Sequence, residues 1–231
     1  MILFQKDTFL GDTNPVAWPG MEELRTACVG IKIVEIESVS PDEKDLLTPR
    51  EAARAEELGL RRRKAFTAAR VALKGLARQI GLIDKDRPDS SIETLGPDRV
   101  RPCLPDSDLY CSVSHTGRFA VAVGNVFPVG VDIELVAERI VRVWHLFMEP
   151  RNQDLISTSG IGPERTAARA WTMKEAAAKA FGLDLSGAIR EVEVLTVGEK
   201  QSVIRYRENT YSVRHAEGES HVISLLTCDG F

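Results

Sequence analysis

The chain has no cysteine pair with the close spacing of a zinc knuckle or a redox C-x-x-C. Cys28, Cys103, Cys111 and Cys228 are scattered, so reduced, buried thiols are expected. It has no excess of positive charge either. Its 30 basic and 34 acidic side chains leave a net charge of -4, so no global field is available to hold nucleic acid or an anionic membrane, and any anion site has to be local. No apolar run approaches the roughly 18 residues of a membrane span. The opening Met1 to Asp7 lacks the basic region and apolar core of a targeting segment. The expectation is a cytoplasmic protein without a nucleic-acid or membrane partner. A G-x-S-x-G elbow is also missing, which argues against serine-histidine hydrolase chemistry.

What is present suffices for a packed core: 43% of the 231 residues are hydrophobic, enough for one large domain or two small ones. Residues 1–27 carry Gly11, Asn14-Pro15 and Pro19-Gly20 with little periodicity and read as an irregular leader. Alternation at Val29, Ile31 and Ile33 predicts a strand, ended by Pro41. Thr48-Pro49-Arg50-Glu51 predicts a capped helix start, and a second helix runs from near Gly59 to a stop at Gly81. The segment between Asp84 and Asp108 reads as loop with one short strand at Ser91 to Thr94. A hairpin follows, Leu109 to Val113 and Phe119 to Val123 around Ser114-His115-Thr116-Gly117-Arg118, and then a strand from Val129 to Leu135. Beyond it lie a helical stretch at Val136 to Phe147, a strong helix at Pro163 to Phe181 and four strands between Val192 and Leu226. Both halves read strand, helices, strands. That order predicts an α+β fold of two similar lobes, residues 1–126 and 127–231, with a cleft between them.

Gly130-Val131-Asp132-Ile133-Glu134 alternates acid and apolar residues, which in a strand puts Asp132 and Glu134 on one face. Adjacent acids repel unless a cation or a proton relieves them, and magnesium takes a few carboxylates with phosphate oxygens and water. A solvated strand face is the plain alternative. Trp171, Glu175 and Lys179 form one stripe of an alanine-rich helix, where an ordinary surface Glu-Lys pair would be worth only about 0.2–0.5 kcal/mol. Ser114 and His115 stand in a tight turn that can hold a phosphate or be merely structural. Arg101 is fixed beside Pro102, and Arg61-Arg62-Arg63-Lys64 reads as a solvated helix face.

The order Arg-Pro, Ser-x-Ser-His-Thr-Gly, Gly-Val-Asp-Ile-Glu and Trp-x-x-Lys-Glu-Ala-x-x-Lys resembles the phosphopantetheinyl transferases of the type that activates surfactin synthetase, over about residues 48–185. The resemblance implies a pseudo-dimer of two α+β lobes with coenzyme A and Mg2+ between them, acting on a serine of an apo carrier protein as a monomer. It implies that Asp132, Glu134 and Glu175 hold the metal and that Lys179 stands by the reacting phosphate. Ser114, His115, Arg70 and Arg101 would contact coenzyme A, with Arg54 and Lys174 as further candidates. Val100 stands where the family usually has glycine, and Arg151 falls where some members have a glutamate base. The base is therefore Glu149, Glu175 or water. A non-catalytic module binding coenzyme A or a carrier remains the rival reading, and a magnesium-dependent phosphohydrolase is a third.

Overall fold

The alternation of Val29, Ile31 and Ile33 produces a strand, β1 (Gly30–Glu35), in a computed structural model that describes residues 17–39, 45–98, 101–218 and 220–229. Pro41, Val100 and the first part of the leader lie outside the described residues. The rest of the leader is less irregular than its composition suggests. Trp18 and Pro19 lead into a short helix, α1 (Met21–Ala27), which buries Leu24 and packs against a strand from the far end of the chain.

The capping box forms as the sequence predicts. Thr48 Oγ1 accepts from Glu51 N at 3.2 Å and Glu51 Oε2 accepts from Thr48 N at 3.0 Å, opening α2 (Pro49–Glu56). The longer α3 (Leu60–Gln79) follows, and Gly81, at φ +74, turns the chain out of it. The predicted strand at Ser91 to Thr94 does not form. A 3-10 turn occupies Asp89–Ser91, and at Thr94 the N–H donates to Glu51 Oε1 at 3.0 Å while the carbonyl accepts from Arg70 Nη1 at 2.8 Å and from Cys103 N at 3.0 Å, next to an isolated bridge between Leu95 and Pro102.

Strands β2 (Tyr110–His115) and β3 (Phe119–Asn125) complete a three-stranded antiparallel sheet in the order β1-β3-β2. Ser114 and His115 thus end a strand, whereas the sequence suggested a turn. β3 is central and buried throughout. Its Ala120 and Ala122 face α3, and Phe119, Val121 and Val123 face the opposite way. Small residues toward the helix and large ones toward the other side follow from the alternation of a strand buried on both faces.

β4 (Val129–Leu135) opens a second sheet, so the chain changes sheet between Asn125 and Val129. The helical stretch Val136 to Phe147 becomes α4 (Glu138–Arg142) with a 3-10 turn at Trp144–Leu146, and α5 (Leu155–Thr158) is a single turn. α6 (Pro163–Phe181) ends at Gly182, φ +68, and α7 (Leu185–Glu191), absent from the sequence reading, is capped by Asp184 Oδ1 accepting from Gly187 N at 2.6 Å. β5 (Val192–Thr196), β6 (Gln201–Tyr206), β7 (Asn209–Glu217) and β8 (His221–Thr227) complete an antiparallel sheet in the order β4-β8-β7-β6-β5. α1 lies on β7 and α6 lies across β4 and β8.

β2 and β4 are edge strands of different sheets, yet they run side by side. Ser112 Oγ accepts from Val131 N at 3.2 Å across the seam. One apolar cluster spans both sheets, with Ile31, Phe119, Val121 and Val123 meeting Val131, Ile133, Ile223 and Leu225. Each methylene buried in such a core is worth about 0.8 kcal/mol, so the seam is held mainly from behind.

Candidate active site

The site begins with a residue that has no side chain. A Cβ built on Gly130 would stand 1.8 Å from the Ala176 carbonyl oxygen, so only glycine lets α6 lie this close on β4. Two residues further along β4, Asp132 points at the helix while Val131 and Ile133 enter the core. Asp132 is buried at 3% exposure, which rules out the solvated strand face considered for it. Its Oδ1 accepts from Ser114 Oγ at 2.5 Å and from Lys179 Nζ at 2.8 Å, and Lys179 also donates to the Val131 carbonyl at 2.9 Å.

Glu175 stands one helical turn before Lys179, 4.0 Å from its ammonium. Burial, then the charge of Asp132 beside it, pushes the Glu175 carboxyl up to about 7, with Lys179 pulling the other way. Two carboxylates, a lysine and a serine hydroxyl are thus gathered from α6, β4 and β2. His115 ends β2 next to them. Loss of solvent lowers its pKa, Lys179 lowers it further and Asp132 opposes, so the ring is held toward its neutral form. Arg61 is exposed, as the sequence predicts for a solvated helix face, and its charge, close to the Gly117 turn, also lowers His115.

Glu134 is on the same strand face as Asp132 but turned aside. Its Oε1 accepts from its neighbour Leu135 N at 2.7 Å and from Arg139 Nη2 at 3.1 Å. Lys174 points away altogether. Its ammonium is buried among main-chain carbonyls, donating to Ile189 at 2.9 Å and to Val192, and burial lowers its pKa to about 8. A residue one place from Glu175 on a helix is rotated by about 100°, so the motif lysine faces α7 and not the acids.

The three candidate arginines are dispersed. Arg70 is 3% exposed, with its guanidinium on the Phe66 ring and the Thr94 carbonyl. Arg54 pairs with Glu57 at 2.5 Å, and Arg101 is exposed beside Asp98 at 3.6 Å. Among the described residues none of the three shares a hydrogen bond or ion pair with the cluster. Glu149 is held by Arg151 at 2.9 Å, and Arg151 also pairs with Glu193 at 2.8 Å. The sequence reading gave no role to Gly130 or Ser112. The impossible Cβ at one and the cross-seam hydrogen bond at the other appear only once β4 has neighbours.

This arrangement places hard oxygen donors and a cation where a phosphate ester can lie between them. Residues 128–226, which include Gly130, Asp132, Glu134, Glu175 and Lys179, match the model of the 4'-phosphopantetheinyl transferase superfamily. The resemblance to the phosphopantetheinyl transferases, read first from motif order, thus holds across β4 to β8. Among individual proteins, enterobactin synthase component D of Escherichia coli O157:H7 and that of Shigella flexneri are each 25% identical to this chain over 198 residues, covering 85% of it and 91% of the relative. The protein of the same name from Escherichia coli strain K12 is 24% identical over the same span.

Proposed function

We propose that this chain is a phosphopantetheinyl transferase that moves the 4'-phosphopantetheine arm of coenzyme A onto a serine of an apo carrier protein. The observation that carries the reading is the Asp132, Glu175 and Lys179 cluster, built by the close β4–α6 contact inside the span that matches the superfamily. The relatives' name favours a carrier that is itself part of a multi-component synthase.

The donor chemistry suits magnesium, which uses one or two protein carboxylates and takes its other oxygens from phosphate and water. Asp132 and Glu175 are such a pair, and the rise of Glu175 to about 7 is what two carboxylates without a cation produce. Among the described residues no three of His, Cys, Asp and Glu stand together as a complete ligand set, and Glu134 would complete one by leaving Arg139. Magnesium bound there would neutralise pyrophosphate charge.

In the reaction the carrier serine oxygen forms a bond to the phosphorus bearing the pantetheine arm, and the bond from that phosphorus to the oxygen of 3',5'-bisphosphoadenosine breaks. Lys179, held by Asp132 and the Val131 carbonyl, presents its ammonium to the leaving phosphate. The serine proton would pass to water or to a carboxylate of the cluster, since the rise of Glu175 to about 7 belongs to the pair without a cation and is lost once magnesium binds there. Ser114 and His115 line the β2 side, where the other phosphates of coenzyme A would lie. Two lobes, 1–126 and 127–231, with coenzyme A at the seam are supported by the change of sheet between Asn125 and Val129. The boundary is not clean, because α1 of the first segment packs on β7 of the second.

Purified protein with magnesium and coenzyme A is expected to add the mass of one phosphopantetheine to a serine of an apo carrier, and Asp132→Ala is expected to abolish the gain while remaining folded. No mass gain with several unrelated carriers, or full activity in Asp132→Ala, overturns the reading. Coenzyme A binding without a mass gain would mark the non-catalytic module instead. Coenzyme A breakdown without a carrier would mark a phosphohydrolase.

A further inference from the structure

Ser112 and Ser114 stand on one face of β2, while Val113 between them packs on the other side with the α3 cluster. Both serines are buried, at 3% and 8% exposure, and both reach β4, a strand with which β2 shares no ladder. Buried hydroxyls need partners. Ser112 Oγ accepts from the main-chain N–H of Val131, and Ser114 Oγ donates to the side chain of the next residue, Asp132.

The second bond decides what the Ser114 hydroxyl can do. Its 2.5 Å length is that of a charge-assisted bond from a hydroxyl to a carboxylate, about twice as strong as one between neutral groups. A serine has a single hydroxyl hydrogen, and the pyrophosphate oxygens of coenzyme A only accept. With its hydrogen on Asp132, Ser114 has nothing to donate to the phosphate contact that the family resemblance implied for it.

Asp132 is held from both sheets. Ser114 approaches from the first, and Lys179 from α6, which lies on the second. Both donate to Oδ1, and Lys179 is anchored in turn on the Val131 carbonyl. Two donors on one oxygen fix the plane of the carboxylate and leave Oδ2 for a cation.

We propose that Ser114 is a positioning residue, which holds Asp132 across the seam in the orientation that a divalent cation needs, and is not a coenzyme A ligand. The proposal rests on the transferase reading and deepens it, leaving the coenzyme A phosphates on the β2 side to His115.

The test measures Mn2+ binding to the protein without substrate, from the EPR signal of free Mn2+, together with the KM for coenzyme A at saturating Mn2+. Ser114→Ala is expected to weaken Mn2+ binding by about tenfold or more, the usual cost of removing a partner of a metal-binding carboxylate, and to leave the KM for coenzyme A within about twofold of the parent. Ser114→Thr keeps the hydroxyl on a strand that suits a β-branched residue, and is expected to restore most of the affinity. Unchanged Mn2+ affinity in Ser114→Ala, no recovery in folded Ser114→Thr, or a raised KM for coenzyme A with Mn2+ affinity intact would overturn the proposal, the last by making Ser114 the coenzyme A contact. All three leave the transferase reading standing, because that is judged on carrier modification by the parent protein. A parent that neither binds Mn2+ nor modifies a carrier sinks both.

Discussion

Two lysine-carboxylate pairs, one beside each sheet, are built to different ends. Lys74 and Glu51 both have fully buried side chains. Their 2.6 Å contact is closed off by the Leu46 and Asp89 carbonyls on the lysine and by Thr48 and Thr94 on the glutamate. Lys179 and Asp132 meet at a similar 2.8 Å, but Lys179 keeps 30% of its side chain in solvent and has Glu175 beside it with a carboxyl at about 7. The first pair has every donor and acceptor used and ties α2, α3 and the loop before β2 together. The second has an excess of negative charge and an open side. A saturated buried pair is structural, and an unsaturated, half-open one is able to take a substrate.

The contrast can be broken from either side. Lys74→Met leaves Glu51 buried without its cation and is expected to lower the unfolding free energy by about 3–5 kcal/mol, measured by urea denaturation, while the folded fraction keeps its transfer activity. Glu175→Gln should do the reverse. It relieves the repulsion with Asp132, so stability holds or rises slightly, while carrier modification falls by about 10²–10³-fold, the usual cost of removing one charge-stabilising group. If Lys74→Met lost activity in proportion while staying folded, or Glu175→Gln destabilised the protein, the two pairs would not differ as described.

Gly130→Ala tests the same division through packing. The added methyl meets the Ala176 carbonyl, so α6 has to move, at an expected cost of about 1–3 kcal/mol. Activity is expected to fall further than that loss of stability explains, because Glu175 and Lys179 move with the helix. Comparing holo-carrier yield with the fraction folded separates the two.

A pH-dependent effect concerns another saturated interior group. Burial lowers the pKa of His215 to about 3. Its folded value lies below its ordinary 6.5, so the unfolded chain binds the extra proton between those values and stability falls as pH drops through that window. The loss is about 1.4 kcal/mol per unit. His215→Asn should flatten that slope in denaturation curves taken from pH 6.5 to pH 4, and a slope unchanged by the substitution would show that the ring does not carry it.

Legibility in the sequence followed the range of the forces involved. β4 and α6 were readable nearly to the residue because each carries strong period and punctuation: alternation in Val129 to Leu135, and Pro163 with Gly182 at the ends of an alanine-rich run. Asp132 and Glu134 were readable as a pair because strand geometry fixes which way they project, whereas Glu175 was joined to them by the family resemblance. α1 and α7 were missed because seven-residue helices carry little periodicity, and α7 has Ser186 and Gly187 in its interior. The strand predicted at Ser91 to Thr94 failed because Glu51, distant in sequence, takes the Thr94 N–H, and backbone pairing in this segment stops at the Thr94 carbonyl and an isolated bridge between Leu95 and Pro102. Lys174 was legible in principle, since its angle on the helix separates it from Glu175, but one of the carbonyls that consume it, Ile189, belongs to α7, which the sequence did not reveal, and the other, Val192, opens β5.

The seam between β2 and β4 has a consequence for how the molecule avoids its own kind. Each strand ends a sheet and would offer a row of open main-chain groups to any passing chain, a known route to aggregation. Here the two margins shield each other, and Ser112 takes up the Val131 N–H by side chain and not by a strand ladder. Because they do not fuse into one continuous sheet, Ser114 and Asp132 remain free to face each other across the join. Protection from outside pairing and a place for chemistry thus come from one unfinished β contact.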